Sequence, residues 1–257
     1  MNAPLLQELF LDPVHESRPA GVRLGDVVFA PRISATADDS IPPEERTRVQ
    51  LGEVLSVMDR LLECAGATRS DVARVTVFMA DVLERPILNE VWAKWYPDAS
   101  DRPPHKYVPA VHPEGVNVAI QVLALLGAER VVLEIPGVQH GDPMSMGART
   151  ANLVTSSRLF GSQPELEDQI TLILERAGIL MGAAGGSLDD LTQATFFVGS
   201  GEIGEAVSER WEREWSGHDR RPRMHLIEAD LGGGNGFPRV EILGLLGTAD
   251  TDAEEPR

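Results

Sequence analysis

The sequence predicts an α+β fold of two tandem domains, each a mixed sheet covered on one face by two helices. Three observations predict it. The chain repeats itself at a spacing close to 120 residues. Each copy alternates β-branched or aromatic runs with amphipathic helical runs, and each copy closes with two strand-like runs around a Pro- or Gly-containing loop.

The repeat is clearest where Glu63–Phe78 (ECAGATRSDVARVTVF) overlies Gly182–Phe197 (GAAGGSLDDLTQATFF). Gly66 meets Gly185, Asp71 meets Asp190, Thr76 meets Thr195 and Phe78 meets Phe197, all at an offset of 119. Trp92 and Trp211 share that offset, whereas Gly127 and Gly247, which end VLALLG and ILGLLG, are 120 apart. Upstream, Pro31 and Ser157 correspond at 126, because the first copy carries a longer loop, ATADDSIPPEER. The units are therefore 1–127 and 128–247, with the polar, acidic segment 248–257 read as a frayed tail.

Taken in order, LLQELFLDPVHESRPAG reads as a short strand and a turn, and ERVVLEIPGVQHGDPMSMG opens the second copy the same way. GDVVFAP and TANLVTS are strands. Val49–Ala65 carries Val54, Met58, Leu61 and Ala65 on one helical face, and Ile170–Met181 is its counterpart. ARVTVFMA and TQATFFVG are strands rich in β-branched and aromatic residues. Ile87, Leu88, Val91, Trp92 and Trp95 make a second helical stripe, matched by Ile203, Val207, Trp211 and Trp215, and these tryptophans read as core. KYVPAV and VAIQVLALL then flank His112–Gly115, while MHLIEA and RVEILGLL flank LGGGNG (231–236). Both pairs read as antiparallel hairpins.

Composition narrows the function. The chain has 257 residues, 42% hydrophobic and 25% charged, enough apolar material for two cores. With 23 basic against 40 acidic residues the net charge is −17, which disfavours nucleic acid and anionic membranes as partners and leaves a small metabolite or another protein. Cys64 is the lone cysteine, so neither an intramolecular disulfide framework nor a thiolate zinc site is possible. The N-terminus has no export signal and no apolar run spans a membrane, so a cytoplasmic protein is expected. HExxH, GxSxG and the Walker loop are absent, LGGGNG is followed by a proline and a strand rather than a helix, and the six histidines show no i,i+4 pairing; no metal and no cofactor are expected.

Glu241 resists a bland reading, because a carboxylate inside Val240–Leu246 needs an edge position or a partner. A closing hairpin would set Arg223 opposite Glu241, and the same arithmetic sets His105 opposite Gln121 in the first copy. A salt bridge that merely closes the hairpin and a catalytic pair are both open on this pattern.

The two copies resemble the RidA/YjgF family of reactive-intermediate (enamine/imine) deaminases. The resemblance rests on GDVVFAPRI, on AGA followed by SDVARVTVFMADV, on ILNEVWAKWY, on the Arg221-Pro222-Arg223 step and on VEILGLLG, and it spans almost all of both halves. It implies a chorismate mutase-like fold, a homotrimer and ligand pockets between adjacent units. It also implies that Arg223 grips a substrate carboxylate with its planar fork and that Glu241 handles water and its proton, turning a 2-imino or enamino acid into a 2-keto acid and ammonia. The family's Ser-Gly carboxylate-binding step reads Pro31-Arg32 in the first copy and Ser157-Arg158 in the second, with Ser156-Ser157 as an alternative register. The family's helix asparagine is Asn89, replaced by Ser208 in the second copy. His105, Gln121 and Arg32 make the first copy's site degenerate, and Asn89 completes a site with Arg223 and Glu241 if pockets form between unlike units. Two alternatives accompany the deaminase reading: a specialised biosynthetic enzyme acting on a larger imine or another carboxylate, and a non-catalytic ligand-binding or scaffolding protein.

Overall fold

A computed structural model describes residues 5–11, 18–38, 40–139, 141–218, 220–229 and 237–247. LGGGNG and the acidic tail lie outside the described residues.

The first repeat runs β1 (Leu6–Leu9), β2 (Gly21–Leu24), β3 (Val27–Ser34), α1 (Pro43–Cys64), β4 (Val72–Met79), α2 (Arg85–Trp95), β5 (His105–Pro109) and β6 (Val118–Leu125). Its sheet has the order β1-β2-β3-β6-β4-β5. The second runs β7 (Arg130–Leu133), β8 (Gly147–Thr150), β9 (Leu153–Ser156), β10 (Leu159–Phe160), α3 (Leu166–Ala183), β11 (Leu191–Val198), α4 (Gly201–Glu214), β12 (Arg223–Glu228) and β13 (Arg239–Leu245). Its sheet has the order β12-β11-β13-β9-β8-β7, with β10 also paired to β13. Each repeat is thus the same mixed sheet with two helices on one face, as the sequence predicts.

Local chemistry explains most boundaries. α1 starts two turns earlier than its apolar stripe, because Pro43 opens it and Glu44 and Glu45 fill its first turn, both favourable at a helix N-terminus. Ser200 caps α4 by accepting from the Ile203 amide at 3.4 Å. Leu51, Val54, Met58, Leu61 and Leu62 of α1 bury against β3, β4 and β6, and Trp92 closes this core from α2. The second core repeats the plan with Ile173, Ala177, Leu180 and Trp211. The repeat offset of 119 also relates Gln50 to Gln169, two fully buried amides at matching places in α1 and α3. Gln50 donates to the Gly115 carbonyl at 2.7 Å and Gln169 to that of Gln163 at 2.6 Å.

The closing hairpins do not form. β5 lies parallel to β4, and β12 parallel to β11, because α2 and α4 carry the chain back to the starting end of the sheet before the next strand begins. The last strand of each repeat pairs instead with β4 or β11, between the edge strand's neighbour and the rest of the sheet. Arg223 is therefore not opposite Glu241. Glu241 is level with Thr195 and, one strand further, His225, while Gln121 is level with Thr76 and Lys106 rather than His105.

The faces that the helices leave bare meet each other. The Thr155 hydroxyl of β9 donates to the Ala73 carbonyl of β4 at 2.8 Å, and Arg130, at the start of β7, donates to the Val72 carbonyl at 2.5 Å and pairs with Asp101 at 2.6 Å.

Candidate functional site

A cleft of about 260 Å³ opens where the two repeats meet. Arg85, His105 and Tyr107 wall it from the first repeat, and Asp142, Arg158 and Arg239 from the second. In a chain of net charge −17 this concentration of cations stands out.

Arg158 follows Ser156 and Ser157 on the exit from β9 and is only 8% exposed. Its guanidinium lies 5.3 Å from the Tyr107 ring and 5.7 Å from that of Phe197, between two aromatic faces. Its Nη1 is buried with no hydrogen-bond partner among the described residues. Burial, reinforced by the charge of Arg239, pulls the group down to about 10. A buried guanidinium with an unused donor is costly on its own and suited to an anion that enters from solvent.

Asp142 comes from the loop between β7 and β8 and reaches the first repeat. Its Oδ1 accepts from Asn89 Nδ2 at 2.6 Å and its Oδ2 from the Tyr107 hydroxyl, with Arg85 Nε 3.7 Å from Oδ1. Burial opposes ionisation of this carboxyl, but the bonds from Tyr107 and Asn89 and the charges of Arg85 and His105 outweigh it and hold the group below its ordinary range. Burial and the same bond push the Tyr107 phenol up to about 12. His105, 1% exposed, packs against Trp92 with ring centroids 4.4 Å apart and the rings tilted by 47°.

Glu241 is 3% exposed and points away from its own core, into the contact between the sheets. Its Oε1 accepts from Arg74 Nη1 at 3.0 Å and its other oxygen is held by Lys106. It is not on the cleft wall. Arg239 is, two residues earlier on the same face of β13.

The other expected residues scatter. Arg223 is exposed on the β12 edge, level with Gln193. Ser156 Oγ accepts from the Ile242 amide at 2.9 Å and Ser157 Oγ donates to the Ser145 carbonyl at 2.6 Å, so both hydroxyls serve the backbone. Arg32 is exposed, with Nη2 2.9 Å from His112 Nδ1. Gln121 is half-buried on β6. Asn89 bonds Asp142 on the cleft wall rather than meeting Arg223 and Glu241. Sequence reasoning missed Arg74, Arg85, Lys106, Tyr107, Asp142 and Arg239. Arg239 alone carried a signal, since strand alternation places it on the face of Glu241. Among the described residues no cluster of His, Cys, Asp and Glu could hold a metal, and no helix is long and apolar enough to cross a membrane.

Residues 18–126, nearly the whole first repeat, match the family model described as Endoribonuclease L-PSP. That match covers the first repeat and less than half of the chain. The second repeat builds the same sheet and helices on the same plan. The sequence matches none of the curated proteins. Among solved structures, a YjgF/YER057c/UK114 family member from Mycobacterium tuberculosis is 24% identical, with 48% of this chain and 100% of that one covered, at a TM-score of 0.41. A YjgF family protein from Neisseria meningitidis is 19% identical over 48% and 97%, also at 0.41. A chorismatase matches both repeats at once: 12% identity, 87% of this chain and 76% of that one, TM-score 0.64, which is a likeness of fold. The tandem α+β architecture is thus one that this chorismatase shares in fold.

Proposed function

We propose that the cleft between the repeats binds a small carboxylate and hydrolyses it, the substrate class being a 2-imino or enamino acid converted to a 2-keto acid and ammonia. The observation that carries this reading is Arg158, which lines a cation-rich cleft and has a buried Nη1 with no hydrogen-bond partner among the described residues. A carboxylate would complete its hydrogen bonding and offset its charge. Arg85 and Arg239 add positive charge, and the volume leaves room beyond a four-carbon acid, which supports a larger imine as the physiological substrate. In this reading Glu241 fixes Lys106 at the cleft wall instead of handling water itself.

A homo-oligomer, with a trimer as the form the family habit suggests, accompanies this proposal. Its support is the unequal cover of two equivalent edge strands: β5 is buried by the second repeat, whereas β12 exposes Leu226 and Ile227, each at 41%. Arg223 on that open edge would then face a neighbouring copy. Light scattering that gives only a monomer removes the oligomer. The net charge of −17 and the lone Cys64 support a metabolite-processing protein of the cytoplasm over one acting on nucleic acid.

The test is release of 2-keto acid from 2-iminobutyrate or 2-aminoacrylate generated in situ, read by competition with semicarbazide. Wild type should accelerate release and Arg158→Ala should not, while remaining folded. A second reading, hydrolysis of a different carboxylate, is favoured by the likeness in fold to a chorismatase across both repeats. An inactive wild type on imines, together with loss of chorismate in its presence, would select it.

A further inference from the structure

From the cleft geometry we infer that Asp142 is the general base of the site, aligned by Tyr107 and Asn89. The inference rests on the proposal that the inter-repeat cleft binds and hydrolyses a carboxylate. It differs from what the family resemblance implies, which puts the proton work on Glu241.

Hydrolysis needs a group that takes a proton from water and returns it to the leaving nitrogen. Glu241 is spent on Arg74 and Lys106 between the sheets, off the cleft wall. The last-strand position that does open to the cleft is Arg239, a cation that cannot accept a proton. Among the described residues walling the cleft, Asp142 is the one carboxylate. It is supplied by the second repeat but held by the first: Asn89 on α2 donates to Oδ1 at 2.6 Å and Tyr107 on β5 donates to Oδ2. The Tyr107 ring also carries the Arg158 guanidinium at 5.3 Å, so the residue that aligns the base also flanks the anion anchor.

The chemistry balances on this arrangement. With the substrate carboxylate on Arg158, water adds to C2 of the iminium: its oxygen bonds carbon, one of its protons passes to Asp142, and the C=N π pair moves to nitrogen. Protonated Asp142 then gives that proton to the amine. The hydroxyl proton passes to Asp142 as the C–N bond breaks, and the departing ammonia carries it away as ammonium. The products are a 2-keto acid and ammonium, with Asp142 ionised again.

The pH dependence separates Asp142 from its neighbour His105. Asp142 faces Arg85 and Asn89 on α2, His105 and Tyr107 on β5, and the charge of Arg158 from its own repeat. A base held below the ordinary carboxylate range leaves kcat/KM without an acid limb from about pH 5 to about pH 8, whereas a histidine base gives a limb near about 6.5.

The decisive experiment uses the full chain with 2-iminobutyrate as substrate and 2-oxobutyrate as binding probe in calorimetry. Asp142→Asn should lower turnover by about 10²- to 10⁴-fold while 2-oxobutyrate binds as tightly as to wild type or more so, because a negative charge leaves the cleft. Tyr107→Phe keeps the carboxylate and covers the case in which the asparagine variant misfolds. It should lower kcat more than it raises KM and move the acid limb upward, because one bond that favours the ionised form is gone. Turnover in Asp142→Asn within about threefold of wild type, an acid limb near about 6.5 in wild type, or a wild type that binds 2-oxobutyrate and never hydrolyses the imine each overturns the assignment. Failure of Arg158→Ala to weaken 2-oxobutyrate binding instead sinks the reading of the cleft, and the base falls with it.

Discussion

Glu241 of the last strand and Arg74 of β4 meet at 3.0 Å between the two sheets, each almost sealed from solvent. The pair joins the repeats, and Lys106 completes it from the β5 edge. Removing the carboxylate leaves two buried cations facing each other, so Glu241→Ala should lower unfolding free energy by about 3–5 kcal/mol. Chemical denaturation measures it. A loss below about 1 kcal/mol would mean that the pair is solvated or relaxed in solution.

How much of this was readable beforehand differs between fold and site. The offset shared by Gly66 and Gly185, Thr76 and Thr195, and Trp92 and Trp211 marks structural positions, and these recur whatever each copy does. The pairing of β5 and β12 was misread, because two apolar runs around a tight loop look the same whether they bond to each other or to a third strand. Only the intervening α2 and α4, which reverse the chain, decide it. Glu241 was found because a charge among apolar neighbours breaks a pattern, yet its partners, Arg74 and Lys106, come from the other repeat and leave no local trace. Asp142 lies in a Pro/Gly loop, where a polar residue is ordinary, so its contact with Asn89, 53 positions away, is a product of tertiary packing.

Asp142 also links stability to acid. Its folded-state pKa is held below the ordinary value of 3.8, so its contribution is fully present above that value and fades as pH falls through it toward the folded value. Urea unfolding of wild type and Asp142→Asn should therefore differ at neutral pH and converge below about pH 4. A gap that stays constant down to about pH 3 would show that the bonds to Tyr107 and Asn89 do not depend on the charge.

Gly161 tests the packing of β10 against α3. It directly follows Phe160, and a Cβ there would lie 2.7 Å from the backbone of Gln169, against α3. Backbone cannot swing aside as a side chain can, so Gly161→Ala should force β10 and α3 apart and cost about 1–3 kcal/mol. At Gly244 the same substitution meets the Met181 methyl at 2.5 Å, the end of a flexible chain, and should be tolerated better. Thermal unfolding of the two variants side by side checks the order.

Arg158 sets function against stability in one side chain. Its aliphatic stem and the faces of Tyr107 and Phe197 suit an apolar occupant, whereas its buried Nη1 has no hydrogen-bond partner among the described residues. Replacing it with methionine keeps most of the volume and removes the desolvated charge. Arg158→Met should therefore gain about 1 kcal/mol in urea unfolding while losing carboxylate binding by about 10- to 100-fold, the value of a hydrogen bond to a charged group. Calorimetric titration with 2-oxobutyrate provides the second number. If the variant binds normally and is less stable, Arg158 is a packing residue, and the anion site belongs to Arg85 and Arg239 instead.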